Sequence, residues 1–114
     1  MQYNIFANLP AVNMTPVVTR RLLAYQTGEG GYTLNLMSAR ADATAPAHSH
    51  PHRQVVYILT GSGDFQCGDE IQTVHPGDVI QIDPDVPHTF ASFAEDTTWL
   101  EFFTPEREDY APEK

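Results

Sequence analysis

The chain has 114 residues, 41% of them hydrophobic and 11% aromatic, which is enough for one packed core and too much apolar matter for a disordered segment. Six Lys and Arg stand against 15 Asp and Glu, and the formal net charge of -9 repels nucleic-acid backbones and anionic lipid surfaces. The start, MQYNIFANLPAVN, has no basic flank ahead of a long apolar run, and no stretch of about 18 apolar residues occurs anywhere, so the sequence reads as a soluble, cytoplasmic protein with no nucleic-acid or membrane partner.

No fixed-period repeat or Gly/Ser linker divides residues 1–114, which read as a single domain with nine prolines as loop punctuation. In chain order the apolar runs are Val17-Val18, Leu22 to Tyr25, Tyr32 to Met37, Val55 to Leu59, Val79 to Ile82 and Thr97 to Phe103. All are short and rich in Val, Ile, Tyr and Phe, which predicts strands. Turn signals at Gly28-Glu29-Gly30-Gly31, Gly61-Ser62-Gly63-Asp64, Gly68-Asp69 and Pro76-Gly77-Asp78 punctuate them in the rhythm of a sandwich or barrel. The expected fold is all-β, with no long helix. The lone Cys67, beside the Gly68-Asp69 turn, has no partner for an internal disulfide and is read as a small turn-proximal residue.

In the strand around Val55 to Leu59, alternation places Gln54, Val56, Ile58 and Thr60 on one face and Val55, Tyr57 and Leu59 on the other. Both faces are largely apolar. The second is therefore expected to pack on another strand layer or on a second subunit, which predicts a homodimer. The competing arrangement has the N-terminal segment cover this face within one chain.

Histidines cluster. His48, His50 and His52 lie in one short stretch, and His88 lies in a second, downstream. Alternation puts His48 and His50 on the same face of an extended segment, where two imidazoles can reach one ion. Gln54 opens the next strand after Pro51 and offers an amide oxygen for a third corner, with His88 as the fourth. Any one of these histidines is more economically read as a solvated loop residue, but the set points to a divalent metal site. His52 is a candidate to orient a ligand, and His75, ahead of Pro76-Gly77-Asp78, is read as exposed. Three neutral imidazoles and a neutral amide leave the ion its full double charge, so such a site favours anionic ligands. The mixed N and O donors suit nickel, zinc, iron or manganese.

The stretch HSHPHRQVVYILTG resembles the first motif of the cupins in its spacing, and PGDVIQIDPDVPHTF resembles the second. The resemblance implies a double-stranded β-helix, or jelly-roll barrel, with its metal on His48, His50, Gln54 and His88. Asp85 stands where the second motif has a glycine, and Gln54 where most metal-binding cupins have glutamate.

In the last strand Trp99, Glu101 and Phe103 share one face. If that face looks into the barrel, partial burial raises the Glu101 pKa toward the range useful for proton transfer. If it looks outward, Glu101 is a solvated strand residue; alternation allows both. The tail FFTPEREDY is similar to that of the small cupins called pectin degradation proteins, as are RRLLAY and HSHPHRQ. This likeness spans about Arg20 to Tyr110. It implies conversion of a 4,5-unsaturated monouronate, an acidic sugar, into the linear 4-deoxy-5-keto uronate. It further implies that the metal binds substrate oxygens, Arg107 holds the carboxylate, Phe103 packs against the sugar and Glu101, aspartate in most of that family, moves the proton. Two other readings compete: a non-catalytic, metal-dependent sugar-binding module and a metal-dependent dioxygenase.

Overall fold

The computed structural model describes residues 1–112, which form nine strands and two short 3-10 turns. The strands are β1 (Ala11–Thr15), β2 (Val18–Gln26), β3 (Tyr32–Ala39), β4 (Arg53–Thr60), β5 (Gly63–Cys67), β6 (Glu70–Val74), β7 (Val79–Ile82), β8 (His88–Phe93) and β9 (Thr97–Thr104). They make a six-stranded sheet in the order β1-β2-β3-β9-β4-β7 and a three-stranded sheet in the order β6-β5-β8, with every pair antiparallel.

Period-two burial sets which side chains face the interior. In β9 buried and half-buried residues alternate along the whole strand, with Thr97, Trp99, Glu101 and Phe103 inside. In β3 the inner positions are Thr33, Asn35, Met37 and Ala39, and in β4 they are Gln54, Val56 and Ile58. The core forms where these meet Phe65 of β5 and Phe90 of β8 across the gap between the sheets. Burying a Val, Ile or Phe side chain is worth about 1.5–3 kcal/mol, so the fully enclosed Ile58, Val56 and Ile82 are principal contributors. Glu101 therefore faces inward, and the choice that alternation left open is decided by the register of β9 between β3 and β4.

Four strands lie outside the predicted runs. Residue Gly63, read as part of a turn, begins β5, and His88 begins β8. The runs Val17-Val18 and Leu22 to Tyr25 belong almost wholly to the single strand β2, whose pairing with β3 shifts register between Leu22 and Ala24. Gly61 holds φ +84, and a Cβ there would strike the Asp96 carbonyl and Thr97, so this turn requires glycine. The N-terminal segment reaches β2, where Asn4 Nδ2 donates to the Leu23 carbonyl and the Arg21 guanidinium covers the Phe6 ring. It does not cover the outer face of β4, where Tyr57 and Leu59 remain exposed.

Candidate metal centre

The loop before β4 carries His48 and His50, and backbone bonds fasten it to the second histidine segment. His48 N–H donates to the His88 carbonyl at 3.1 Å, His88 N–H returns the bond to His48 at 2.9 Å, and Asp85 N–H donates to the His50 carbonyl at 2.8 Å. Asp85 makes that last contact from the left-handed region, at φ 67, the conformation that glycine adopts without strain. The glycine position noted in the second motif is thus a backbone requirement, met here by aspartate.

These bonds bring His48, His50 and His88 together, with ring nitrogens that all lie within 4.8 Å of one another. The three could hold one metal ion. His50 and His88 are buried, and His48 stands exposed at the rim. His50 Nδ1 faces the His52 carbonyl at 3.1 Å and His88 Nδ1 faces the Val86 carbonyl at 2.8 Å. A carbonyl only accepts, so each Nδ1 carries the proton and each Nε2 presents a bare lone pair. His52 thus fixes the His50 ring, through its backbone carbonyl and not through its own ring.

The donor set fits a cation on two further observations. His88 Nε2 is buried with no hydrogen-bond partner among the described residues. His50 Nε2 lies 3.0 Å from Gln54 Oε1, so a bare imidazole nitrogen meets an amide oxygen, an acceptor against an acceptor. An ion shared by the two relieves that conflict. Burial lowers all three histidine pKa values, that of His88 to about 4, with the neighbouring His48 and His50 adding to the effect. The imidazoles are therefore neutral at pH 7, as ligation requires.

A cavity of about 270 Å³ opens beside the histidines and extends into the barrel. His48, Gln54 and His88 line one side of it, and Glu101, Phe103, Arg107 and Tyr110 line another. The inner end is apolar, formed by Met37, Val56, Phe65, Phe90 and Trp99 among others. Arg107 arrives from the tail after β9, whose backbone N–H donates to Thr33 Oγ1 at 2.8 Å. Its guanidinium lies 5.0 Å from the centre of the Phe103 ring and 4.3 Å from that of Tyr110. Nε and Nη2 both donate to the Asp109 carboxylate, at 3.2 and 2.7 Å. That pairing uses the side-on fork and leaves the end-on N–H groups for another carboxylate. Burial acts to raise the Asp109 pKa, but the bonds and charge of Arg107 outweigh it and hold the carboxyl below its ordinary value.

Glu101 accepts a 3.0 Å hydrogen bond from the Trp99 indole on Oε1. Burial drives its pKa up, against the opposing pull of Trp99, Asn35, Arg107 and Arg20. His48, His50, Gln54, His88, Glu101, Phe103 and Arg107 thus gather around one space, whereas His75 is exposed and Cys67 is a half-buried free thiol at the end of β5. Trp99 as a hydrogen-bond donor, Asn35 beside Glu101, Tyr110 between two arginines and Asp109 on Arg107 were not among the expected residues. One signal for Asn35 was available, a polar residue at an inner position of the apolar run Tyr32 to Met37.

Two packed antiparallel sheets, with histidines that could hold a metal ion on a loop ahead of one strand and at the start of another, define a small β-barrel of the cupin class. The chain belongs to the cupin family, whose domain matches residues 35–103. Among solved structures it is similar to an RmlC-like cupin from Shewanella frigidimarina NCIMB 400, with 20% identity over 97% of this chain and 96% of that one and a TM-score of 0.88. KdgF from Halomonas sp. is similar at 19% identity over 97% and 99%, with a TM-score of 0.87. The polyketide cyclase RemF from Streptomyces resistomycificus is similar at 19% identity over 90% and 78%, with a TM-score of 0.69. At these identities the likeness carries the fold. No curated protein sequence matches the chain.

Proposed function

We propose that the protein is a metal-dependent enzyme that opens the ring of 4,5-unsaturated monouronates to the linear 4-deoxy-5-keto uronate. The observation that carries this reading is the convergence of a histidine cluster, an arginine with a free end-on fork and a buried carboxyl on one cavity. In this reading His48, His50, Gln54 and His88 hold one divalent ion, drawn from nickel, zinc, iron or manganese. When bound there, the ion supplies Lewis acidity toward a carboxylate, carbonyl or hydroxyl oxygen. Arg107 pairs with the substrate carboxylate through its remaining N–H groups, and Phe103 packs against the sugar. The bond between C1 and the ring oxygen breaks as the C1 hydroxyl loses its proton, giving an aldehyde and an enolate oxygen on C5. Protonation at C4 then yields the C5 ketone. Glu101 holds the proton for that transfer, and its elevated pKa suits a group that must both carry and release one. Proton lost and proton gained balance, so the net reaction is an isomerisation.

The similarity to KdgF supports the reading, and the tail FFTPEREDY, whose residues reach the cavity, supports it further. The test is the decay of ultraviolet absorbance of lyase-generated unsaturated galacturonate-derived and alginate-derived monomers, with and without a chelator. Accelerated decay that the chelator abolishes is expected. Loss of turnover on removal of oxygen would instead indicate a dioxygenase. Metal-dependent sugar binding without acceleration would indicate a binding module. Arg107→Ala is expected to raise KM about ten-fold or more, since a hydrogen bond to a charged group is worth about 1.5–3 kcal/mol. Gln54→Ala is expected to lower both metal affinity and kcat, with circular dichroism unchanged.

A further inference from the structure

Asn35 sits directly opposite Glu101 in the pairing of β3 with β9, and both side chains point inward. Asn35 is 0% exposed, yet among the described residues neither its Nδ2 nor its Oδ1 has a hydrogen-bond partner of good geometry. Leaving a buried polar group unbonded costs about 1–3 kcal/mol, so an amide in this position calls for a partner. Side chains facing each other across an antiparallel pair stand about 4.5–5.5 Å apart at Cβ, which puts the Glu101 carboxyl within reach of a small rotation.

We propose that Asn35 is a positioning residue that holds the Glu101 carboxyl in both its protonation states, so that the proton can be taken up and released without the carboxyl losing its place. The chemistry of the neighbours motivates this. The Trp99 indole can only donate, and it anchors Oε1 alone. An amide can do more: its NH2 donates to a carboxylate, and its carbonyl accepts from a carboxylic acid. The other polar or charged groups acting on Glu101 are Arg20 of β2 and Arg107 and Tyr110 of the tail, and neither arginine can accept a proton. The Tyr110 hydroxyl can accept as well, but of these polar groups Asn35 alone stands directly opposite Glu101 in the pairing of β3 with β9, placed to serve both forms. Its place behind the cavity wall, not on its lining, makes it a support for Glu101 and not a contact for substrate. The inference rests on Glu101 as the proton carrier of the proposed reaction, but its test does not depend on turnover.

Trp99 is the single tryptophan of the chain and bonds to Glu101, so its emission reports the state of that carboxyl. The experiment is a pH titration of Trp99 emission in the metal-loaded full chain, for the wild type, Asn35→Leu, Asn35→Asp and Glu101→Gln. Glu101→Gln should remove the transition and so assign it. Asn35→Leu takes away both a donor to the carboxylate and an acceptor for the acid, and because the bond to the charged form is the stronger of the two, the midpoint should move upward; Asn35→Asp sets a second carboxyl against the first and should move it upward as well. For Asn35→Asp the expected move is about one pH unit or more, because two adjacent carboxyls resist ionising together. On substrate, Asn35→Leu should lower kcat about ten-fold with KM within about two-fold, since a misplaced proton donor affects the chemical step and not binding. Should leucine fail to fold, Asn35→Ser, smaller and still polar, carries the test in its place, with a midpoint nearer the wild type than that of the aspartate variant. Midpoints unchanged in the variants would show Asn35 to be a packing residue and overturn the proposal. Shifted midpoints in a protein with no turnover of unsaturated uronates would keep the pairing and reject the uronate reading alone.

Discussion

Glu101 ionises against its surroundings, and this has a thermodynamic sign that can be measured. Its folded pKa lies above the ordinary value of 4.5, chiefly through burial. A raised pKa means that the folded state binds the proton more tightly than the unfolded one, so stability is whole below the unfolded pKa and is lost as pH rises through the folded one. Each unit of difference is worth about 1.4 kcal/mol. Glu101→Gln removes this loss. The variant should therefore melt higher than the wild type at neutral pH, with the advantage vanishing near pH 4, while turnover collapses. Thermal melts across the pH range check the first part, and a variant less stable than wild type at pH 7 would contradict it. The histidines behave in the opposite sense. His88, with its pKa lowered to about 4, contributes stability that is whole above its ordinary 6.5 and is lost as pH falls toward 4. Because His48, His50 and His88 are all neutral at pH 7, metal binding should release almost no protons. Calorimetric enthalpies for the divalent ion should then agree between buffers of different ionisation enthalpy, and a strong buffer dependence would show that a ligand begins protonated.

Two segments outside the strands deliver much of the site, the loop before β4 and the tail after β9, whose residues Glu108–Tyr110 form a short 3-10 turn. The tail is fastened by the Arg107 N–H on Thr33 and by Glu106, whose carboxylate accepts from Gly28 N–H at 3.4 Å. Within it Asp109 holds Arg107 by its side-on fork. Exposed ion pairs are worth about 0.2–1 kcal/mol, so Asp109→Ala should raise KM by at most about five-fold, well short of Arg107→Ala. Steady-state kinetics on the two variants separates them, and equal losses would mean that Asp109 itself contacts substrate. What the sequence revealed follows from how each element is buried. Strands with one face on the core and apolar residues on both faces, such as β3, β4 and β9, stand out as runs. By contrast, β1 is exposed at every residue and β6 at all but Val74, so neither has a hydrophobic period to read. Strand β5 opens on Gly63, inside what reads as a turn, because the Ser92 carbonyl and Phe93 approach too closely for a side chain. The histidine spacing was legible because it is local. The direction of Glu101 was not, since Leu100 and Phe102 make the other face of β9 just as apolar and only the neighbouring strands settle it.

That outer face shapes the behaviour of the whole molecule. Register aligns Leu36 of β3, Leu100 of β9, Tyr57 of β4 and Val79 of β7 in one row across the six-stranded sheet, with Leu34, Phe102 and Val55 in the next. Tyr57 is 42% exposed and Val79 53% exposed, so the row ends in open apolar surface. With a net charge of -9, two copies repel one another over most approaches. This uncharged stretch is where they can meet without bringing carboxylates together, and we propose that it is the interface of a homodimer. Tyr57→Arg would put a charge at the centre of that contact. Burying an unpaired charge is strongly unfavourable, so sedimentation should show a dimer for the wild type and a monomer for the variant at the same concentration. The histidine cluster lies at the mouth of the barrel and not on this face, so the monomeric variant should still bind the ion. A wild type that sediments as a monomer across micromolar concentrations would leave the face solvated. A variant that loses metal together with its partner would place the interface in contact with the site.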